Sequence, residues 1–251
     1  MNRMNIEKTC WANAVPNGII SSNKVHIWRY YPEETNSQME TLQDTLSPDE
    51  LARSEKFHFE KDRKKFILTR GILRKLLGCY LNKNPQQIRF DYTSFGKPFL
   101  AIDSENSNIS FNLTHSGEIV LYAISCNQEL GIDVEQVRDH TDVMAIAKRF
   151  YSQREIGQME KADEKNRTQL FFRYWTRKEA FVKALGKGVS FPMERLDVSL
   201  LNKFSPIIKL MAENNESVYL NVQDLFPGDG YVAAIATEVN DPEISCWHYS
   251  L

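Results

Sequence analysis

Two pairs of segments in this chain echo each other. TRGILRKLLG (69–78) resembles TRKEAFVKALG (176–186) with one insertion, and SGEIVLYAIS (116–125) resembles GDGYVAAIAT (228–237). A helix followed by antiparallel strands, written twice about 110 residues apart, points to two similar α+β halves. Chance similarity between amphipathic segments is the alternative at this level, because short apolar patterns are ambiguous. The 251 residues suffice for one large domain or two small ones.

The intervening sequence fits such halves. KVHIWRYY (24–31) alternates and is rich in aromatics, which predicts a strand. In LSPDELARSEKF, Ser47 is placed to cap a helix, Pro48 to begin it and Glu50 to complete a capping box. Residues 62–81 carry apolar side chains at helical spacing, and ISFNLTHSGEIVLYAIS (109–125) predicts strands. DVMAIAKRFY reads as helical, and Ser152 with Glu155 repeats the capping-box spacing. A long helix is expected over 168–186, closed by Gly186, with strands at LDVSLL and DGYVAAIATEV. Residues 1–22 are polar and irregular and read as a loose arm.

Composition narrows the function classes. A net charge of −2 gives no overall reason to expect nucleic acid or membrane as partner. Cys10, Cys79, Cys126 and Cys246 are scattered without a C-x-x-C pair, which argues against a zinc site and fits a reducing compartment. The N-terminal stretch has no apolar core of a signal peptide, and no apolar run is long enough to span a bilayer. A soluble cytoplasmic protein is the expectation.

GIDVE (131–135) places Asp133 and Glu135 on one face of a predicted strand, about 7 Å apart. Such a pair is either a solvated sheet face or a set of oxygen ligands for a hard cation, Mg²⁺ or Mn²⁺. WTRKEAFVK (175–183) repeats Trp175, Glu179 and Lys183 every four residues along one side of a helix, with Phe172 beside them. A surface ion pair would explain Glu179 and Lys183 but not the aromatic wall. In NLTHSG (112–117), His115 is either structural or, with Thr114 and Ser116, a phosphate-contacting cluster. A run of basic residues, Arg53, Arg63, Lys64, Lys65, Arg70, Arg74 and Lys75, with Lys97 in FGKP, is mostly solvated surface. One or two of them turned into a cleft would bind a phosphorylated ligand.

Together, Gly131, Asp133, Glu135 and then Trp175, Thr176, Lys178, Glu179, Ala180 and Lys183 match G-[IV]-D-x-E followed by W-[ST]-x-K-E-[SA]-x-x-K. In this the chain resembles the 4′-phosphopantetheinyl transferases, of the large bi-lobed kind similar to the surfactin-synthetase-activating enzyme. FGKPFL and FNLTHSG are similar to two further family segments, with Thr114 where serine is commoner, and the likeness covers roughly residues 45–200.

The resemblance implies a pseudo-dimer of two α+β lobes, each an antiparallel sheet packed by a long helix. The lobes would be 23–126 and 127–251, after an arm at 1–22, with the active site between them. It implies transfer of the 4′-phosphopantetheine group of coenzyme A to a serine of an apo acyl or peptidyl carrier protein, releasing 3′,5′-ADP. Asp133, Glu135 and Glu179 would be ligands of Mg²⁺, and Glu179 also the general base. Lys183 would neutralise the pyrophosphate with Lys178 nearby, while Thr114 and His115 would contact coenzyme A phosphates. Arg53, Arg70 and Lys97 would contact the nucleotide end. A monomer is expected, since one chain supplies both lobes.

Rival classes are weaker. A carrier-binding module that has lost catalysis would not need the full set of carboxylates and the lysine. A different Mg²⁺-dependent nucleotide transferase would need a phosphate loop, and neither G-x-x-x-x-G-K-[ST] nor G-x-G-x-x-G occurs. A basic-helix nucleic-acid binder is opposed by the net charge.

Overall fold

The computed structural model describes residues 9–32, 38–101, 108–138, 142–188, 191–201, 206–211 and 217–250. In chain order its elements are β1 (Ala12–Asn13), β2 (Lys24–Tyr30), α1 (Met39–Gln43), α2 (Pro48–Ser54), α3 (Glu60–Leu81), β3 (Phe90–Tyr92) and β4 (Pro98–Leu100). There follow β5 (Ile109–Ser116), β6 (Ile119–Cys126), β7 (Leu130–Gln136), α4 (Val143–Phe150), α5 (Gln153–Lys161) and α6 (Glu164–Leu185). The chain closes with β8 (Ile207–Met211), β9 (Ser217–Leu225), β10 (Tyr231–Thr237) and β11 (Glu243–His248).

The echo is structural. The sheets run β1-β11-β2-β6-β5 and β7-β10-β9-β8, so the antiparallel trio β2-β6-β5 has a counterpart in β7-β10-β9. One 22-residue helix packs on each: α3 on the first trio, α6 on the second. Ile67, Leu68, Ile72, Leu73, Leu76 and Leu77 of α3 recur at helical spacing and are buried. Asn82 in the left-handed region ends α3, and Gly186, φ 66°, ends α6. Between the sheets lies a third core, where Val25, Ile27, Leu121 and Ala123 meet Ile132, Val134, Ala233 and Ile235. Burial of each large aliphatic side chain there contributes roughly 1.5–3 kcal/mol.

A second repeat is polar. Both expected capping boxes form, at Ser47 with Glu50 and at Ser152 with Glu155. Each box carboxylate also holds a buried cation of the following long helix. Arg74 Nε lies 2.6 Å from Glu50, and Lys178 Nζ lies 2.8 Å from Glu155. Arg74 donates onward to the Pro85 and Ile88 carbonyls, which bracket a 3₁₀ turn at Pro85–Gln87. Lys178 donates to the Met193 and Leu196 carbonyls, which bracket the 3₁₀ turn Met193–Arg195. Each connection thus satisfies its buried carbonyls through one long-helix cation.

Some expectations are corrected. LDVSLL is not a strand; Leu196 to Leu201 follow the 3₁₀ turn as irregular chain, with Leu196 and Val198 buried. The strands in that region are β8 and β9. The described part of the arm is docked: Trp11 Nε1 donates to the Phe226 carbonyl, and Gly18 packs on the Cys79 carbonyl of α3. β11 lies in the first sheet, parallel to β2. Among the described residues no helix is long and apolar enough to cross a membrane.

Candidate active site

Gly131 sets the distance between β7 and α6. A Cβ there would fall 2.1 Å from the Ala180 carbonyl oxygen and 2.3 Å from the Ala184 nitrogen. Only a residue without a side chain lets the helix come this near. On the same face of β7 follow Asp133 and Glu135, while Ile132 and Val134 point into the inter-sheet core. Immediately before the contact residues Ala180 and Ala184, α6 offers Glu179 and Lys183, one turn apart.

The groups meet as a network. Lys183 Nζ donates to Asp133 Oδ1 at 2.6 Å, to the Ile132 carbonyl at 3.2 Å and to Thr114 Oγ1 at 3.4 Å. Thr114 Oγ1 donates to Asp133 Oδ1 at 3.1 Å, and Ser116 Oγ donates to Glu135 Oε2 at 2.8 Å. Asp133 Oδ2 is buried and has no hydrogen-bond partner among the described residues.

Burial pushes the Asp133 carboxyl up, against the pull of Lys183. It pushes Glu135 up as well, against its bond from Ser116. Glu179 is raised by burial and then by the charges of Asp133 and Glu135, with Lys183 opposing. Burial is the first cause for all three; Asp133 also raises Glu135, and both raise Glu179.

The network lies where the sheets abut. Edge strand β5 does not hydrogen-bond to β7 as sheet; its alternate polar side chains do so instead. The Ile132 N–H donates to Asn112 Oδ1 at 3.0 Å, Val134 N–H to Thr114 Oγ1 at 3.4 Å, and Gln136 N–H to Ser116 Oγ at 3.1 Å. His115, of opposite parity, is exposed. Crowding by protein and then the charges of Lys65 and Lys183 hold its imidazole below the usual range. Lys65 donates to the Gly117 carbonyl at 3.1 Å. Only its membership of a basic run marked Lys65 in the sequence.

Other expected residues fall elsewhere. Lys178 is a correction: its ammonium is fully buried on Glu155 and two carbonyls, so it does not face the cluster. At 100° per residue it points away from the Glu179–Lys183 face. Thr114 lies at the cluster, its hydroxyl donating to Asp133 and accepting from Lys183.

Arg70 is buried in the first lobe, 3.3 Å from Glu50 and beside the Phe66 and Phe90 rings, rather than in the cluster. Arg53 is exposed over Phe66. Lys97 bridges the lobes, donating to Glu129 at 2.9 Å and to the Leu130 carbonyl at 3.2 Å. Trp175 stacks on Phe171 and meets Phe150 edge-on, and Phe172 is buried beside them, so the aromatic wall belongs to the second core.

Among the described residues no three histidine, cysteine or carboxylate side chains stand arranged to hold a metal ion. The donor set nonetheless fits a hard cation. Its carboxylates supply only oxygen, and one of those oxygens, Asp133 Oδ2, is buried without a hydrogen-bond partner among the described residues.

The site thus sets paired carboxylates on a strand against a carboxylate and a lysine on the facing helix, within an α+β fold. Residues 129–236 match the model of the 4′-phosphopantetheinyl transferase superfamily, and residues 28–127 that of the 4′-phosphopantetheinyl transferase N-terminal region. The chain is 37% identical over 239 residues to the 4′-phosphopantetheinyl transferase HetI of Nostoc sp. (strain PCC 7120), covering 95% of this chain and 98% of that one. It is 28% identical over 204 residues to the 4′-phosphopantetheinyl transferase Sfp of Bacillus subtilis (strain 168), covering 80% of this chain and 88% of Sfp. The chain belongs to the 4′-phosphopantetheinyl transferase superfamily and is a transferase. Enzymes of this family move the 4′-phosphopantetheine group from coenzyme A to carrier proteins.

Proposed function

We propose that the β7–α6 cluster carries out this transfer, with Glu179 as the general base and Asp133, Glu135 and Glu179 as the ligands of Mg²⁺. The observation that carries the reading is the convergence of Glu179 and Lys183 from α6 on the carboxylates of β7. A carrier serine is neutral near pH 7, so a carboxylate must accept its proton as the hydroxyl oxygen attacks phosphorus. Glu179 is positioned among the β7 carboxylates and Lys183, whose charges act on it. The new bond joins the serine oxygen to phosphorus, and the broken bond releases 3′,5′-ADP, whose charge Lys183 and His115 face. Bound Mg²⁺ would supply charge stabilisation for the phosphate oxygens.

Lys97 and Arg53 are assigned to the nucleotide end, and Lys65 joins His115 at the phosphates. The lobes are taken as 23–126 and 127–251, with 243–248 lent back to the first sheet. The enzyme is read as a cytoplasmic monomer, because its cysteines are unpaired and one chain supplies β5, β7 and α6.

The test is the mass of an apo carrier protein incubated with coenzyme A and Mg²⁺. Wild type adds one phosphopantetheine, and Glu179→Gln or Asp133→Ala adds none while folding normally. Near-wild-type turnover by Glu179→Gln refutes the base; no transfer to any of a panel of carriers refutes the whole reading.

A further inference from the structure

We propose that Ser116 is a positioning residue for Glu135, fixing that carboxylate across the junction of the two sheets; this rests on the metal-site reading above. Ser116 is the last residue of β5, nearly buried, just before a turn in which Gly117 takes φ 53°. Its hydroxyl has one hydrogen. A carboxylate only accepts and a backbone N–H only donates, so both directions are fixed. Ser116 Oγ donates to Glu135 Oε2 at 2.8 Å and accepts from Gln136 N–H at 3.1 Å.

The hydroxyl therefore ties the carboxylate to the backbone of the next residue on β7. Thr114 treats Asp133 in the same way two residues earlier, but it also meets Lys183. Among the described residues Ser116 Oγ meets no lysine, so it isolates the positioning effect. Because β5 and β7 belong to different sheets, this bond also converts a shift between the lobes into a displacement of Glu135. Hydrogen bonds to a ligating carboxylate commonly set its affinity for the ion.

The experiment measures Mn²⁺ binding by electron paramagnetic resonance on the full chain with coenzyme A present, beside thermal melting. Ser116→Ala is expected to weaken Mn²⁺ binding by about tenfold, with a melting shift of no more than a few degrees. Ser116→Thr, which keeps the hydroxyl, is expected to restore binding. If the alanine variant does not fold, Ser116→Cys makes the same comparison with nearly the same volume and a weaker donor.

Wild-type affinity in Ser116→Ala overturns the proposal, as does a threonine variant as impaired as alanine. A wild type that transfers but binds no Mn²⁺ overturns the metal reading and this proposal together. Weakened binding in Ser116→Ala with recovery in Ser116→Thr, in a protein whose wild type binds Mn²⁺, supports both readings.

Discussion

Glu155 and Lys178 form an ion pair at 2.8 Å with neither side chain reached by solvent. Glu155 serves its own helix start as well, accepting from Ser152 N–H at 2.8 Å and from Val198 N–H at 2.9 Å. Removing one partner of such a pair leaves an uncompensated buried charge, at a cost of about 3–5 kcal/mol. Lys178→Met is therefore expected to lower stability by this order, measured by urea denaturation, while coenzyme A affinity of the folded fraction stays near wild type. Unchanged stability with weakened coenzyme A binding would return Lys178 to the phosphates. Arg74→Met in the first lobe is expected to cost less, because Arg70 at 3.3 Å still pairs with Glu50.

Gly131→Ala tests the close approach of β7 and α6. The added methyl meets helix backbone rather than a flexible side chain, so the helix has to move. Overpacking of this kind costs about 1–3 kcal/mol. A displacement near 1 Å separates Glu179 and Lys183 from Asp133, and such misplacement can lower turnover by about 100-fold. The expected result is a folded protein with a lower melting temperature and activity reduced by at least an order of magnitude. Normal activity with a normal melting curve would show that the approach is not needed.

Periodicity made much of this legible. The capping boxes at Ser47 and Ser152, the αL closure at Gly186 and the in–out alternation of GIDVE all follow from local rules, and all appear. What failed was non-local. The resemblance put Lys178 near the phosphates, but on a helix the neighbour of Glu179 lies about 100° away, and there Glu155 holds it. Thr114 and Ser116 looked equally free to donate, because nothing in NLTHSG says that β7 would lie alongside β5. LDVSLL carries a strand-like alternation, but its buried Leu196 and Val198 answer to the second core and to Lys178 and Arg177, which take their carbonyls. β11 was missed because its sheet partner is more than 200 residues away.

His26 predicts an acid limit to stability. Its Nδ1 lies 2.7 Å from Tyr80 Oη, which also accepts from Trp28 Nε1 at 3.0 Å. The phenol hydrogen then serves the unprotonated ring nitrogen. Burial first, then the charge of Lys24, lowers the imidazole from 6.5 to about 4. Below pH 6.5 the unfolded chain binds a proton that the folded chain refuses, so stability is full above that pH and falls as pH drops toward about 4. By about pH 5 the loss from this group is on the order of 2 kcal/mol. Denaturant midpoints across this range check it: His26→Gln should remove part of the slope, and an unchanged slope would exclude the histidine.

Thiol labelling tests the packing of the first sheet. Cys10 and Cys79 are exposed, whereas Cys246 on β11 is buried and its thiol is pushed up to about 12, chiefly by burial. A maleimide is expected to modify Cys10 and Cys79 quickly and to leave Cys246 untouched until the protein unfolds. Rapid labelling of Cys246 in native protein, located by peptide mass, would mean that β11 opens readily.

The place of β11 bears on how the enzyme comes into being. Its six residues lie between β1 and β2, and Cys246 closes the core shared by both sheets. Every other strand of that sheet is made before residue 127. During synthesis, the first lobe must therefore wait with an open edge while the whole second lobe emerges from the ribosome. The sheet of the first half is completed by a strand made after the second half, which couples the two in folding.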